Sequence, residues 1–324
     1  MSGCAIWRRR GRSAIGPSSL TRRISLTCYD LALTFLQVAE SGSLLQHLCD
    51  CLQLFFPIDS HILQNRQYKS ISIILCEGKD DLWFIAYFLH KTDGWVIDKD
   101  FKKTWPYYKI KPKDHTQDVQ YITSDANHTR DYASIWAVGG QDRMQDAIND
   151  ILHINSSYPH SMIESIVIIK DCDARKHNDV VNEIATWFSD TITLENHKIC
   201  KYTISANGQQ IAMQIMPIVI PFDSEGAIET VLLHALAEHG AQESFIAGQA
   251  SKYVHDLIAS EKLSNYLTHN RQITKAEYSA AIAITNPDHS TELFKGLVMA
   301  CPWEETKAIA THYGCISTAI ASCQ

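Results

Sequence analysis

Residues 70 to 236 predict an α/β protein, with a mainly parallel sheet carrying helices on both faces. Three observations lead there. Short apolar runs rich in β-branched residues alternate with stretches of helical periodicity, the pattern of β-α units. The runs Ile71–Leu75 and Ile166–Ile169 are continuous, as expected of strands buried on both sides. Several runs end abruptly in acids or glycines, and ligands of open α/β sheets bind at the carboxyl ends of strands.

The first unit is SISIILCEGKDDLWFIAYFL, residues 70–89. Its strand stops at Cys76-Glu77-Gly78-Lys79-Asp80-Asp81. Leu82, Phe84, Ile85, Phe88 and Leu89 then recur at helical spacing. Asp80 and Asp81 fall where a helix N-terminus favours negative charge. Residues 114–132 are polar and read as a loop. Ser134–Val138 reads as the next strand, followed at once by Gly139-Gly140 and a helix from Gln141 to Leu152. Two glycines there let the backbone turn tightly or approach a ligand. The pattern is neither G-x-G-x-x-G nor a Walker sequence, which argues against a nucleotide-binding P-loop.

The third unit, ESIVIIK at 164–170, runs straight into Asp171-Cys172-Asp173. The i, i+2 spacing predicts both carboxylates on one side of an extended chain. A helix follows near Asp179–Phe188. Strands are expected at 199–204 and 211–221, and the second again ends in acids and a glycine, Asp223-Ser224-Glu225-Gly226, before a helix opened by Glu229. Residues 237–324 read as mostly helical, with breaks at Asn286-Pro287 and Cys301-Pro302. Glu77, Asp171 and Asp173 would thus end two core strands, a donor set suited to Mg²⁺, with Mn²⁺ an alternative.

The flanks carry less chemistry. Residues 1–29 hold six arginines, five serines and no acid. They read as a disordered basic tail, with a targeting peptide or a misassigned start as alternatives. Residues 30–68 read as a helical extension, 69–236 as the catalytic domain and 237–324 as a helical C-terminal region. Between residues 98 and 113 six lysines alternate with aromatics. Lys102, Lys103, Trp105, Lys109 and Lys111 are candidates for gripping a nucleic-acid backbone; a solvated hairpin is the alternative.

The 324 residues leave room for two domains or for one with additions. The composition, 45% hydrophobic and 20% charged, is ordinary for a globular protein. The net charge of −7 provides no global positive field for nucleic acid. No apolar run spans a bilayer. The ten scattered cysteines suggest free thiols and a cytoplasmic setting. His47, Cys49 and Cys51 have the wrong spacing for common zinc sites and read as three positions on a helix.

Strand-Glu-Gly-x-x-Asp-helix, strand-Gly-Gly-helix and strand-Asp-x-Asp, in that order, resemble the Toprim domain. That Rossmann-like catalytic domain is shared by topoisomerases, bacterial primases, recombination-repair proteins and overcoming-lysogenisation-defect (OLD) nucleases. The similarity spans roughly residues 70–235 and looks closest to small Toprim-like proteins related to the OLD nucleases. It implies that Glu77 is a metal ligand or general acid/base and that Asp171 and Asp173 hold Mg²⁺. Asp81, with Asp80 as fallback, matches a further nuclease acid. Glu229 matches a late acid that can serve a second metal, and Gly78, Gly139 and Gly140 match the turn glycines. Cys172 between the acids departs from the pattern, and its side chain is expected to point away. No tyrosine nucleophile, primase zinc domain or OLD-type ATPase domain is visible.

The expected function is Mg²⁺-dependent phosphodiester chemistry on DNA or RNA, most simply as a nuclease. The alternative is a non-catalytic module that binds nucleic acid or a protein partner, for example within a defence system. A homo-oligomer is compatible with either. An Asp-x-Asp phosphatase of the haloacid dehalogenase type would place its pair after the first core strand, where this chain has Glu77. If the strand before Glu229 neighbours the first strand, Asp81 and Glu229 would face each other across the crevice.

Overall fold

The computed structural model describes residues 71–97, 118–124, 131–157, 163–188, 192–206, 208–260, 266–287 and 301–321. All lie in one compact unit, Tyr68–Gln324. The basic tail, the helical extension and the lysine-aromatic candidates Lys102, Lys103, Trp105, Lys109 and Lys111 lie outside the described residues.

Seven strands form one sheet in the order β2-β3-β4-β1-β5-β7-β6. They are β1 (Ile71–Cys76), β2 (Val96–Ile97), β3 (Asp118–Thr123), β4 (Tyr132–Ala137), β5 (Ser165–Asp171), β6 (Cys200–Ala206) and β7 (Gln209–Ile220). The central run β4-β1-β5-β7 is parallel, while β2, β3 and β6 add antiparallel edges. Side chains of β1, β4 and β5 are buried throughout, as parallel strands between helical layers require. β3 falls where the sequence predicts a loop. Its residues DVQYIT mix polar and apolar types without a continuous run, because its first half, beyond the two-residue β2, is only partly covered.

Helices cover both faces. On one lie α1 (Lys79–Asp93), α4 (Ile228–Glu238), α5 (Ala241–Ala259), α6 (Asn270–Thr285), α7 (Lys307–Tyr313) and α8 (Cys315–Ala321); α2 (Gln141–Ser157) and α3 (His177–Thr186) lie on the other. The two cores divide the strands by alternation. Ile74 and Cys76 of β1, with Val167 and Ile169 of β5, face the α1/α4 layer. Ile73 and Leu75, with Ile166 and Ile168, face the α2/α3 layer. The C-terminal helices join the first of these cores, with Trp303, Ile309 and Tyr313 fully buried in it. Residues beyond 236 therefore complete the apolar face of the sheet.

No described helix is long and apolar enough to cross a membrane. Free cysteines among the described residues are Cys76, Cys172, Cys200, Cys301 and Cys315.

Candidate functional site

β1 and β5 are neighbours in parallel register, so their carboxyl ends emerge side by side. That juxtaposition creates the site. Glu77 follows β1, Asp171 closes β5, and a cleft of about 470 Å³ opens above them. Its walls include Asp80 and Asp81 from α1, Glu229 from α4, and Arg271 and Lys275 from α6. Gly78, Gly139 and Gly140 supply backbone on the same rim, as expected for turn glycines.

Each turn has a local cause. The Gly78 N–H donates to Asp81 Oδ2 at 2.9 Å, so Asp81 caps α1 from its third position. Gly139 extends the β4 ladder, its N–H donating to the Glu77 carbonyl at 2.8 Å. It then takes φ 82°, a conformation that a side chain disfavours. Asp171 Oδ1 accepts the Ile228 N–H at 3.1 Å, tying the end of β5 to the first turn of α4.

Asp173 does not continue the strand. It takes φ 53°, in the left-handed region, and pairs with Gly226 through two backbone hydrogen bonds of 2.7 and 2.8 Å. The expectation that Asp171 and Asp173 project to one side of an extended chain therefore fails. The chain turns between them because Asp173 is bridged to the next loop, and it is Asp171 that lines the cleft. Gly226 is required there. Its φ is 139°, and a Cβ would stand 2.2 Å from Thr230 Oγ1, so only glycine fits without strain. Cys172 behaves as expected, buried in the α2/α3 core with its thiol donating to the Arg175 carbonyl at 2.7 Å.

A second expectation also needs correction. β7, the strand before Glu229, pairs with β5 and not with β1. Glu229 nevertheless reaches the rim shared with Asp80 and Asp81, because α4 and α1 pack on the same face of the sheet.

The electrostatics follow from this crowding. Burial raises the Asp171 pKa well above the ordinary carboxylate range, and Asp81, Glu77, Glu229 and Asp173 push it further. Burial also raises Asp81, to about 7, against the opposing Gly78 hydrogen bond and with help from Glu77, Glu229 and Asp80. Asp80 is raised as well, first by burial and then by Glu229, with Lys275 opposing. Partial burial works against the Arg271 charge, but Asp171, Asp173, Glu77 and Glu229 outweigh it and raise its pKa.

Three cations that the sequence reading missed answer the acids. Lys170 Nζ lies 2.9 Å from Glu77 Oε1. Lys275 pairs with Glu229. Arg271 stands one helical turn before Lys275 on the cleft wall. A signal was available for the last two, since i, i+4 cations share a helix face; their opposition to the acids depends on the packing of α6. Beneath the site, the Tyr313 hydroxyl is buried without a hydrogen-bond partner.

As the side chains stand, no group of three or more acids, histidines or cysteines among the described residues is arranged to hold a metal ion. The reason lies in the partners. Glu77 and Glu229 are turned to lysines, Asp81 to Gly78 and Asp171 to Ile228. The donor chemistry still fits a hard divalent cation. Asp173 Oδ1 is buried and has no hydrogen-bond partner. Asp81 and Asp171 crowd other carboxylates that a cation would relieve. Asp171 and Asp81, which line the cleft, are the residues that would hold it, with Glu77 and Glu229 available on release from their lysines.

A parallel-centred α/β sheet with a rim of acids and opposed cations at its carboxyl edge is the class of protein defined by fold and site. Residues 71–305 match the model of a family of proteins of unknown function, DUF3226, and the chain belongs to that family. No curated protein matches it. Among solved structures the chain is similar to hypothetical protein PH0156 from Pyrococcus horikoshii OT3, at 14% identity and a TM-score of 0.39, over 76% of this chain and 99% of that one.

Proposed function

We propose that the protein performs Mg²⁺-dependent phosphodiester chemistry on nucleic acid, as a nuclease of the Toprim and OLD-like kind. The observation that supports this best is the meeting of Glu77 and Asp171 from adjacent parallel strands, with Asp80, Asp81 and Glu229, on a cleft that Arg271 and Lys275 also line. Such a cleft pairs donors for a cation with donors for a phosphate.

When bound, Mg²⁺ would neutralise the phosphate and steady the attacking and leaving oxygens. The chain's own residues do the rest. Arg271 offers a planar guanidinium that can grip two phosphate oxygens at once, and Lys275 a point charge beside it. The N–H groups at the starts of α1, α2 and α4 put partial positive charge on the rim. A carboxyl at Asp81 that titrates at about 7 can hold or yield a proton at neutral pH. Asp171 anchors the first turn of α4 and so fixes where Glu229 stands.

A second reading is a non-catalytic Toprim-like module that binds nucleic acid or a protein partner. One observation favours it: Glu77 and Glu229 are both engaged by lysines, so the acids balance themselves in part without a cation. Incubating the protein with a panel of DNA and RNA, single- and double-stranded, with Mg²⁺, Mn²⁺ or chelator, tests both. Metal-dependent cleavage lost in Asp171→Asn supports the nuclease. Binding without cleavage under every condition supports the module.

A further inference from the structure

Lys170 is the one buried lysine or arginine among the described residues, its side chain 2% exposed. It lies beside Asp171 in sequence but not in space. Alternation along β5 directs Asp171 with Val167 and Ile169 toward the α1/α4 layer, and Lys170 with Ile166 and Ile168 toward the α2/α3 layer. The same alternation along β1 sends Glu77 after Ile73 and Leu75, toward Lys170. The pairing of Leu75 with Ile168, continued two residues, sets Glu77 opposite Lys170. An ion pair of 2.9 Å joins them, and the Glu77 carboxylate retains 13% exposure toward the cleft. The Glu77 backbone is held from the other side by the Gly139 N–H. What remains free is the side chain, which has the Lys170 ammonium on one side and the cleft on the other.

We propose that Lys170 is a positioning residue that holds Glu77 on the α2/α3 face and makes a cation at the acidic cleft compete for it. The proposal rests on the proposed function in taking Mg²⁺ as the competing cation. An ammonium in apolar surroundings needs a counter-charge, so Glu77 is retained by Lys170 as firmly as Lys170 is retained by Glu77. A divalent ion approaching Asp171 and Asp81 gains Glu77 as a donor only by drawing it off the lysine. Lys170 thereby lowers cation affinity, and Glu77 becomes a donor only when the cation's charge outweighs that of the ammonium.

The test uses the full-length protein in two measurements. In metal-free buffer, chemical denaturation is compared for wild type, Glu77→Gln, Lys170→Met and the double variant. Glu77→Gln leaves the ammonium unpaired and should be the least stable; adding Lys170→Met should restore stability. Additive losses would overturn the pairing. Mg²⁺ binding by calorimetry, without nucleic acid, forms the second arm. Lys170→Met should bind Mg²⁺ about tenfold more tightly than wild type, since one charge is worth at least that at short range. Lys170→Arg should bind like wild type. The double variant should bind no better than Glu77→Gln, which shows that the lysine acts through Glu77. If wild type binds Mg²⁺ and Lys170→Met binds it equally or more weakly, the inference is overturned while the proposed function stands. If neither binds Mg²⁺, the metal-dependent function falls and the inference falls with it.

Discussion

The two sides of the sheet handle the same kind of group in opposite ways. On the α2/α3 side Glu77 is ion-paired with a buried lysine, while it still adds to the negative field felt by Asp171 and Asp81. On the α1/α4 side Asp81 and Asp171 are buried among further acids; of the cations on the same cleft, Lys275 is paired with Glu229, and among the described residues neither Asp81 nor Asp171 has an ion-pair partner of its own. Burial alone does not decide what an acid does; the position of its counter-ion does. The paired side is settled within the chain. The crowded side is left with buried carboxyls whose pKa values are raised by burial and by one another.

The largest test of this contrast is Asp171→Asn. Asparagine keeps an oxygen to accept the Ile228 N–H and removes the charge at the centre of the crowd. Cleavage is expected to fall by more than about a hundredfold, since ligands matter at least as much as the residues supporting them. Metal-free stability at pH 8 is expected to rise by about 1–2 kcal/mol. Kinetics and urea denaturation of the same sample measure both. A less stable variant would mean that crowding costs the fold nothing.

The next test is pH. Asp81 titrates at 3.8 when free and at about 7 in the fold. The folded state holds that proton more tightly, so the associated stability is complete below the unfolded value and is lost as pH rises through about 7. Metal-free thermal midpoints should therefore decline between pH 6 and pH 8. Added Mg²⁺ should raise the midpoint more at pH 8 than at pH 5.5, because it displaces the same protons. Asp81→Asn should flatten both trends, and a flat wild-type profile would contradict the crowded side.

Lys275→Met probes the cations that line the cleft. Losing one phosphate contact should weaken nucleic-acid binding several-fold and lower the salt slope by about one. Titrations by fluorescence anisotropy between 50 and 200 mM salt, about the range over which such slopes are read, give the answer. An unchanged slope would assign Lys275 to Glu229 alone. The smallest effect is expected for Cys172→Ala. The thiol sits between two acids in sequence but belongs to the α2/α3 core. Stability should drop by about 1 kcal/mol from the small cavity, with metal dependence unchanged.

Much of this was legible in the residues. Continuous β-branched runs marked β1 and β5, since strands covered on both faces admit little else. Glycines at 139 and 226 marked turns whose positive φ values exclude most side chains. The acids at the strand ends were visible for the same reason: polar residues follow at once where an apolar strand leaves the core. β3 was not legible, because a half-covered strand has no continuous apolar signature. The bend at Asp173 was not legible either. It depends on a bridge to Gly226, a residue far along the chain.

By itself the sequence determined that Glu77 and Asp171 stand at the ends of apolar strands, because strand ends are set by local apolar patterning, and open α/β sheets gather such ends at one edge. Only the tertiary structure decided what each acid would face. Alternation sent Glu77 to Lys170 and Asp171 to the opposite layer, and strand order set β5 between β1 and β7. The packing of α6 brought Arg271 and Lys275 to the cleft, with Lys275 on Glu229. Charge pairing depends on distances between residues remote in the chain, and those distances exist only once the helices have closed over the sheet.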